Sequence, residues 1–248
     1  MRLRAVLWLH SLRLRKYVLS LFSNALTDAL WALIPIVGAL AVGRQSSVAE
    51  IFWAMVAWMV IANSAWLIGG WLEYAALLGV LEYHVHASVS PLALAAGRVV
   101  TLLASVSISS AIVIAPLALL GLAPAAADTW SLAASLALLL AQAVAYGVLL
   151  AAVSVKVGVP SALLDIASLA QLGLLLLPLN PEHIGALSLI PLLGPAYLAR
   201  YSARTAHASP LLAHAAAVAA AIMLLALLAE KWSSKLIAQR GFRAVSFV

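Results

Sequence analysis

The polar residues that could do chemistry are concentrated in one interval, residues 73–90, between two long apolar stretches. Glu82, His84 and His86 stand out there, because carboxylates and imidazoles bind metal ions. A histidine pair at i, i+2 lies on different helix faces, and the sequence places no further His or carboxylate beside it. We therefore predict no metal site and no cofactor in this chain.

The sequence leaves two interpretations of Glu82 open. It can pair with an Arg or Lys of a partner protein, or it can be a solvated carboxylate. Exposed ion pairs contribute only about 0 to 1 kcal/mol, so the presence of the charge does not decide between them.

A second group of polar residues lies inside the apolar stretches. Asp28 and Asp165 fall within or near the ends of predicted spans, where ionisable residues are expensive and mark a pathway, a cap or an interhelical pair. Neutral polar residues could line a cavity, yet such residues also hold transmembrane helices together. The neutral candidates are Asn24, Asn63, Ser105, Ser107, Ser109, Gln142 and Gln171.

Motifs of soluble and intramembrane enzymes are missing from the sequence. It contains no HExxH, no GxSxG and no Asp pair clustered within a span, so we predict no catalytic residue. It also contains no Gly-x-x-x-x-Gly-Lys-Ser/Thr loop, so an ATPase that drives this chain is expected to be a separate protein. With no cysteine there is no disulfide and no thiolate ligand.

The composition is typical of a membrane protein. The 248 residues are 66% hydrophobic and 9% charged, whereas soluble domains carry about 25% charged residues. A helix needs about 20 apolar residues to cross a hydrocarbon core about 30 Å thick. We therefore predict an all-α integral membrane protein that forms a single domain over residues 1–248.

Six transmembrane helices are predicted, and four other segments accompany them. Residues 1–18 form a basic amphipathic helix at the membrane surface, although they could also begin a long first span. Residues 73–90 connect two spans, residues 178–210 form short or re-entrant helices because Pro and Gly interrupt them, and residues 230–248 form a basic tail. The predicted spans are about 21–42, 51–72, 92–120, 130–155, 161–177 and 211–229.

The distribution of positive charge predicts the orientation. With six spans, eleven Lys and Arg residues fall on the side of the two termini and three on the other side. Cytoplasmic segments carry the excess of Lys and Arg. Both termini and residues 73–90 are therefore expected in the cytoplasm, and residues 178–210 outside.

Two short runs carry a resemblance to a known family, the ABC-2 type permeases of ABC transporters. Gly79, Val80, Leu81 and Glu82, followed by Gly97 and Arg98, are similar to the family's Gly-Thr-Leu-Glu and Gly-Lys/Arg pattern, and Ser88 stands where the family usually has proline. Before the last span, Pro191, Gly194, Pro195, Tyr197 and Arg200 are similar to the family's Pro, Asn-Pro, Tyr and Arg run.

The resemblance implies a function and partners. Residues 73–90 would be the cytoplasmic segment that docks on the ATPase, with Glu73, Gly79, Leu81, Glu82, His84, His86, Ser88 and Arg98 as coupling residues. The expected partners are two copies of an ABC-type ATPase, which binds ATP and Mg²⁺, and a second copy of this permease or a related one. No nucleic acid is expected.

The same resemblance implies an exporter in the cell membrane that works by alternating access. Short external loops favour an amphipathic or membrane-delivered substrate. Two alternatives stay open: a non-transporting membrane scaffold, and an ion-coupled secondary transporter, although the paired interrupted halves typical of such carriers are not recognisable here.

Overall fold

A computed structural model describes residues 3–71, 74–75, 90–154, 161–178, 180–205 and 209–240. These residues form helices and loops and contain no strand, which confirms the all-α prediction for this part of the chain. Five segments are helical, long and apolar enough to cross a membrane: Val18–Ala41, Gln45–Gly69, Leu92–Leu119, Thr129–Ser154 and Ser209–Ser233.

We number the α-helices in chain order and treat the short turns separately. A π-helical turn, Ala65–Gly69, continues α3, and 3-10 turns lie at Gln45–Ser47, Pro181–His183 and Ser209–Leu211. The α-helices are α1 (Leu3–Lys16), α2 (Val18–Ala41), α3 (Val48–Ser64), α4 (Pro91–Gly97), α5 (Val99–Leu119), α6 (Thr129–Ser154), α7 (Ser161–Leu176), α8 (Ile184–Leu187), α9 (Leu193–Arg204) and α10 (Leu212–Arg240).

Two predicted segments differ from the structure, and a third matches it in position only. The third is the predicted span 161–177, which is α7; its 16 residues are about 24 Å long, shorter than the hydrocarbon core, so its crossing stays a prediction. The predicted span 92–120 is divided at Arg98 into α4 and α5. Of the predicted tail 230–248, residues 230–240 continue α10, and Glu230 and Ser233 still bond to the bundle. Residues 241–248 lie outside the described residues.

The centre of the bundle is α3. Phe52, Met55, Met59 and Ile61 are each no more than 1% exposed, and α3 packs against α2, α5, α6, α7 and α9. In the segment Gln45–Gly69, 67% of the apolar stretch is buried, compared with 22% in Ser209–Ser233. Both segments are apolar on all sides, as buried or membrane-spanning helices are. The difference in burial shows that α3 is central and α10 is peripheral.

The π turn that continues α3 approaches α6 very closely. A Cβ atom on Gly147 would lie 2.7 Å from Ile68 Cβ and 2.9 Å from the Ser64 carbonyl oxygen. On the other side of the contact, a Cβ atom on Gly69 would lie 2.9 Å from Leu150 Cβ. Small residues permit this backbone contact between membrane helices.

The amphipathic helix predicted at the N-terminus is α1, and its buried side faces protein. Val6 and His10 are 1% and 2% exposed, whereas Trp8 is 64% exposed. Gly97 makes the contact possible, since a Cβ atom there would lie 2.3 Å from Val6 Cγ1. The location of α1 at a membrane surface stays a prediction.

Contacts between distant segments define two ends of the bundle. At one end, the side chains of Glu50 and Arg200 meet, and the Asp128 amide donates to the Ser202 carbonyl oxygen over 3.0 Å. At the other end, Ser90 contacts Glu230. Residues 180–205 therefore lie at the end where α3 begins, and α10 leads back to the end where α4 begins.

Candidate functional site

Most of the predicted coupling residues lie outside the described part of the chain. Arg98 is the exception, and the structure also shows the described residues before and at the end of the coupling segment, up to Trp71 and from Ser90. The predicted residues outside the described ranges are Glu73, Gly79, Leu81, Glu82, His84, His86 and Ser88.

The segment's C-terminal end is held by Ser90. Its hydroxyl accepts a hydrogen bond from the Ala93 amide over 3.3 Å and donates one to Glu230 Oε1 over 3.0 Å. Pro91 occupies the first turn of α4, where its missing N–H costs nothing. Serine at this N-cap position satisfies a free helix amide, so Ser90 both starts α4 and ties it to α10.

The segment's N-terminal end follows the π turn Ala65–Gly69. Such turns are rare and occur frequently at functional sites. Here the turn lies against α6 at Gly147, with no room for an additional methyl group. The end of α3 nearest to residues 73–90 is therefore firmly attached to the core.

Arg98 lies between α4 and α5 and is half-buried beneath α1. One turn before Arg98, the Leu94 carbonyl oxygen accepts a hydrogen bond from His10 Nε2 over 2.9 Å. Burial lowers the pKa of the His10 imidazole from 6.5 to about 4; the bond to Leu94 opposes this shift, and the charges of Arg13 and Arg98 add to it. His10 is therefore neutral at pH 7 and acts as a hydrogen-bond donor.

The opposite end of the bundle contains a buried ion pair. Arg200 Nη2 lies 2.5 Å from Glu50 Oε1, and the two side chains are 4% and 14% exposed. Arg200 Nη1 also donates to the carbonyl oxygens of Leu175 and Leu177, the latter over 2.9 Å. Arg200 thus joins the start of α3 to the end of α7.

Helix α9 brings a second donor to the same helix end. Tyr197 Oη donates to the Leu174 carbonyl oxygen over 2.8 Å, from a position three residues before Arg200. The last carbonyl groups of a helix have no partners within it, and their partial negative charge favours a cation. Tyr197 and Arg200 together satisfy this requirement at the end of α7.

The turn before α9 requires glycine at position 194. A Cβ atom on Gly194 would lie 2.4 Å from the Ser188 carbonyl oxygen, so only glycine fits. Leu192 has a φ of 65°, which is unusual for a side chain of its size. Its amide donates to Gln142 Oε1 over 2.7 Å, which holds this conformation.

Gln142 was a candidate for lining a pathway, and its amide group is engaged inside the bundle. In addition to accepting from Leu192, it donates from Nε2 to the Ala215 carbonyl oxygen over 3.0 Å. The side chain is fully buried. It joins α6 to α10 and to the turn before α9.

The other pathway candidates fall into three environments. Asn63 Nδ2 donates to Asp28 Oδ2 over 2.8 Å and so links α2 to α3. Ser105 and Ser109 are buried in α5, where Ser109 donates to the Ser105 carbonyl oxygen over 2.9 Å. The remaining candidates are exposed or partly exposed: Asn24, Ser107, Asp165 and Gln171.

Sequence reasoning missed Glu50 and His10. Glu50 is the acidic residue in the first turn of an apolar helix, a position that the helix dipole favours. This was the available signal, but it does not indicate a partner 150 residues away. For His10, the available signal was its spacing from Val6. The two residues are four apart and so share one face of α1, as expected for a helix docked on protein.

Within the described ranges, no three His, Asp or Glu side chains gather as a metal site would require. No protein-family model, curated protein or solved structure matches this chain. The fold therefore defines a class, an all-helical protein with several helices able to span a membrane.

Proposed function

We propose that this chain is the membrane-spanning subunit of an ABC-2 type ABC transporter, an exporter driven by a separate ATPase. The observation that supports this most directly is the placement of α3. This most buried helix begins at the Glu50–Arg200 pair and leads through the π turn towards residues 73–90. It joins the proposed ATPase-docking segment to the opposite side of the bundle.

Such a helix suits alternating access. Packed interiors resist continuous deformation and switch between discrete arrangements. Movement of residues 73–90 would reach the buried α3 on one side and, through Ser90 and Glu230, the peripheral α10 on the other. ATP binding to two ATPase subunits would shift these elements, and hydrolysis would reset them.

The two-ended arrangement supports six membrane crossings in this proposal. Helix α7 follows α6. Near the end of α6, the Ala152 carbonyl oxygen accepts a hydrogen bond from Ser233 of α10, three residues after Glu230. The last carbonyls of α7 meet Arg200 and hence Glu50 at the opposite end. We infer that α7 crosses despite its length, with α9 completing that side of the bundle outside the cell.

The orientation follows from charge. Arg44, Arg200 and Arg204 are the basic residues that this topology puts outside, and the remaining eleven are cytoplasmic. In the proposed cell membrane, α1 and the end of α10 face the cytoplasm together with the docking segment. A second permease copy would complete the translocation path with a substrate that is amphipathic or delivered from the membrane.

The test is purification of the tagged chain from its native membrane in a mild detergent, followed by mass spectrometry of stoichiometric partners. We expect a P-loop ATPase in about a 1:1 ratio and its loss in Glu82→Arg, since a reversed charge disrupts docking. Glu182→Arg, exposed at the opposite end of the bundle, is the matched control and should retain the ATPase.

Two results would contradict the proposal. Reproducible absence of an ATPase, together with uptake by the reconstituted chain under an ion gradient, would indicate a secondary carrier. Absence of both an ATPase and transport would indicate a scaffold.

A further inference from the structure

A corner formed by α1, α4 and α5 carries two arginines with an unusual environment. Arg13 and Arg98 are both half-buried. Helix α5 has 21 residues after Arg98, about 32 Å, which is enough to cross the hydrocarbon core without α4. Arg98 therefore stands at the level where that core meets the headgroups.

The position of Arg13 follows from the docking of α1. His10 bonds to Leu94, and the His10 ring would be 2.8 Å from a Cβ atom on Gly97. Arg13 follows His10 by three residues, almost one helical turn, and so shares its face. This register brings Arg13 to Arg98, and the positive charge of Arg13 acts on both Arg98 and His10.

Neither arginine has a carboxylate partner in the described ranges. The ion pair found there is Arg200 with Glu50, at the opposite end of the bundle. The neighbouring His10 is neutral, and Tyr74 is the other polar group that acts on Arg98. Partly desolvated like charges repel, so an anion between them would be stabilised strongly.

We propose that Arg13 and Arg98 form a binding site for the headgroup of an anionic phospholipid. Guanidinium groups bind phosphate oxygens in a bidentate manner, and two of them can hold one phosphate. Lys16, whose ammonium lies 5.7 Å from the centre of the Tyr17 ring, adds positive charge at the end of α1.

The surroundings favour a lipid as the source of the phosphate. Val18, Leu19 and Phe22, in the first turns of α2, are 57%, 83% and 49% exposed. These apolar side chains follow α1 directly and provide a surface for acyl chains. A free phosphate ion would gain nothing from this surface, whereas a phospholipid buries its chains there.

The experiment counts lipids that stay bound to the full-length chain in native mass spectrometry. The protein is purified in detergent, stripped of lipid, and mixed with phosphatidylglycerol or phosphatidylcholine. We expect bound phosphatidylglycerol and little phosphatidylcholine. Arg13→Gln and Arg98→Gln should each weaken phosphatidylglycerol binding about fivefold, as expected for one basic residue at a membrane surface.

Arg15→Gln is the matched control, because it removes the same charge from an exposed position on α1. It should retain most of the binding, and inorganic phosphate at the lipid's concentration should not displace the lipid. Arg98→Lys, which keeps the charge but loses the bidentate geometry, should fall between wild type and Arg98→Gln.

Two outcomes would overturn the proposal. Equal losses of phosphatidylglycerol binding in Arg13→Gln and Arg15→Gln would show diffuse attraction to a basic helix. Equal retention of phosphatidylglycerol and phosphatidylcholine by wild type would show that the arginines are otherwise neutralised. Arg13→Gln answers the question even where Arg98→Gln does not fold. The site does not depend on the proposed transport function.

Discussion

At the scale of single residues, the buried pair of Arg200 and Glu50 is the most consequential feature. Taking two charges out of water is costly, and the attraction between them compensates only where the remaining donors are satisfied. Two carbonyl oxygens, those of Leu175 and Leu177, accept from the same guanidinium, whereas its buried Nε has no partner among the described residues. The arrangement is therefore sensitive to the loss of either partner.

We predict that Arg200→Met destabilises the protein by about 3 to 5 kcal/mol, because Glu50 is then buried without a partner. The double variant Glu50→Leu/Arg200→Met should be less destabilised, since it removes both charges. Thermal unfolding in detergent measures both effects. Arg204→Gln, an exposed arginine four residues further on, is the control and should unfold like wild type. An unchanged unfolding temperature for Arg200→Met would refute the assignment.

The docking of α1 should depend on pH through His10. When α1 is released, the pKa of His10 returns to about 6.5, whereas in the docked state it is about 4. The released state thus binds more protons in this interval, so docking is strongest above about pH 6.5 and weakens as the pH falls towards 4.

Hydrogen exchange of the α1 amides, corrected for the intrinsic effect of pH, measures this change. His10→Gln keeps a donor for Leu94 without titrating, so its exchange should lose most of the pH dependence. His183→Gln, exposed at the other end of the bundle, should behave as wild type does. A pH dependence that survives His10→Gln would assign the effect to another group.

At the scale of elements, the contact between α6 and the π turn after α3 decides how tightly the core is assembled. Gly147 and Gly69 are close to opposing side chains with no free space. Other glycines in the helices are different, since a Cβ atom on Gly38 would have no heavy atom within 4 Å. The chain therefore offers a matched comparison of a packed and an open glycine.

Gly147→Ala should lower stability by about 1 to 3 kcal/mol, because the added methyl group overlaps Ile68 and the Ser64 carbonyl. Gly38→Ala should be neutral or stabilising by about 0.5 to 1 kcal/mol, since alanine favours the helix. Detergent unfolding of the two variants side by side provides the measurement. Equal stabilities would mean that α3 and α6 are not in this close contact.

At the scale of the whole molecule, charge and contacts agree on two ends. Among the described residues, Ser90, Glu230 and α1 belong to the end with most of the Lys and Arg residues, whereas Glu50 and Arg200 belong to the other. Because the protein contains no cysteine, single introduced cysteines report the side on which each lies.

Cysteines at Gln45 and Glu182 should react with a membrane-impermeant maleimide in intact cells, because both positions are exposed at the proposed outer end. Cysteines at Arg15 and Lys235 should react only after permeabilisation. Unaltered expression of each variant is the control. Labelling of the Glu182 position only after permeabilisation would show that α7 does not cross the membrane, and would contradict the six-crossing topology.

The sequence by itself determined the class of fold and most of the helix positions. A long apolar run across a membrane satisfies its backbone hydrogen bonds by forming a helix. The positions of α2, α3, α6 and α10 could therefore be predicted from the apolar runs. The short α7 was also within one residue of its predicted bounds. The break at Arg98 could not be read, because it depends on how α1 packs against Gly97.

Only the tertiary structure decided which polar residues meet. Glu50 and Arg200 are 150 residues apart in sequence, and Ser90 and Glu230 are 140 apart. Periodicity shows which face of a helix is apolar, but it carries no information on the neighbour that the face meets. For Gln142, whose role the sequence left open, packing brought Leu192 and Ala215 to its amide group.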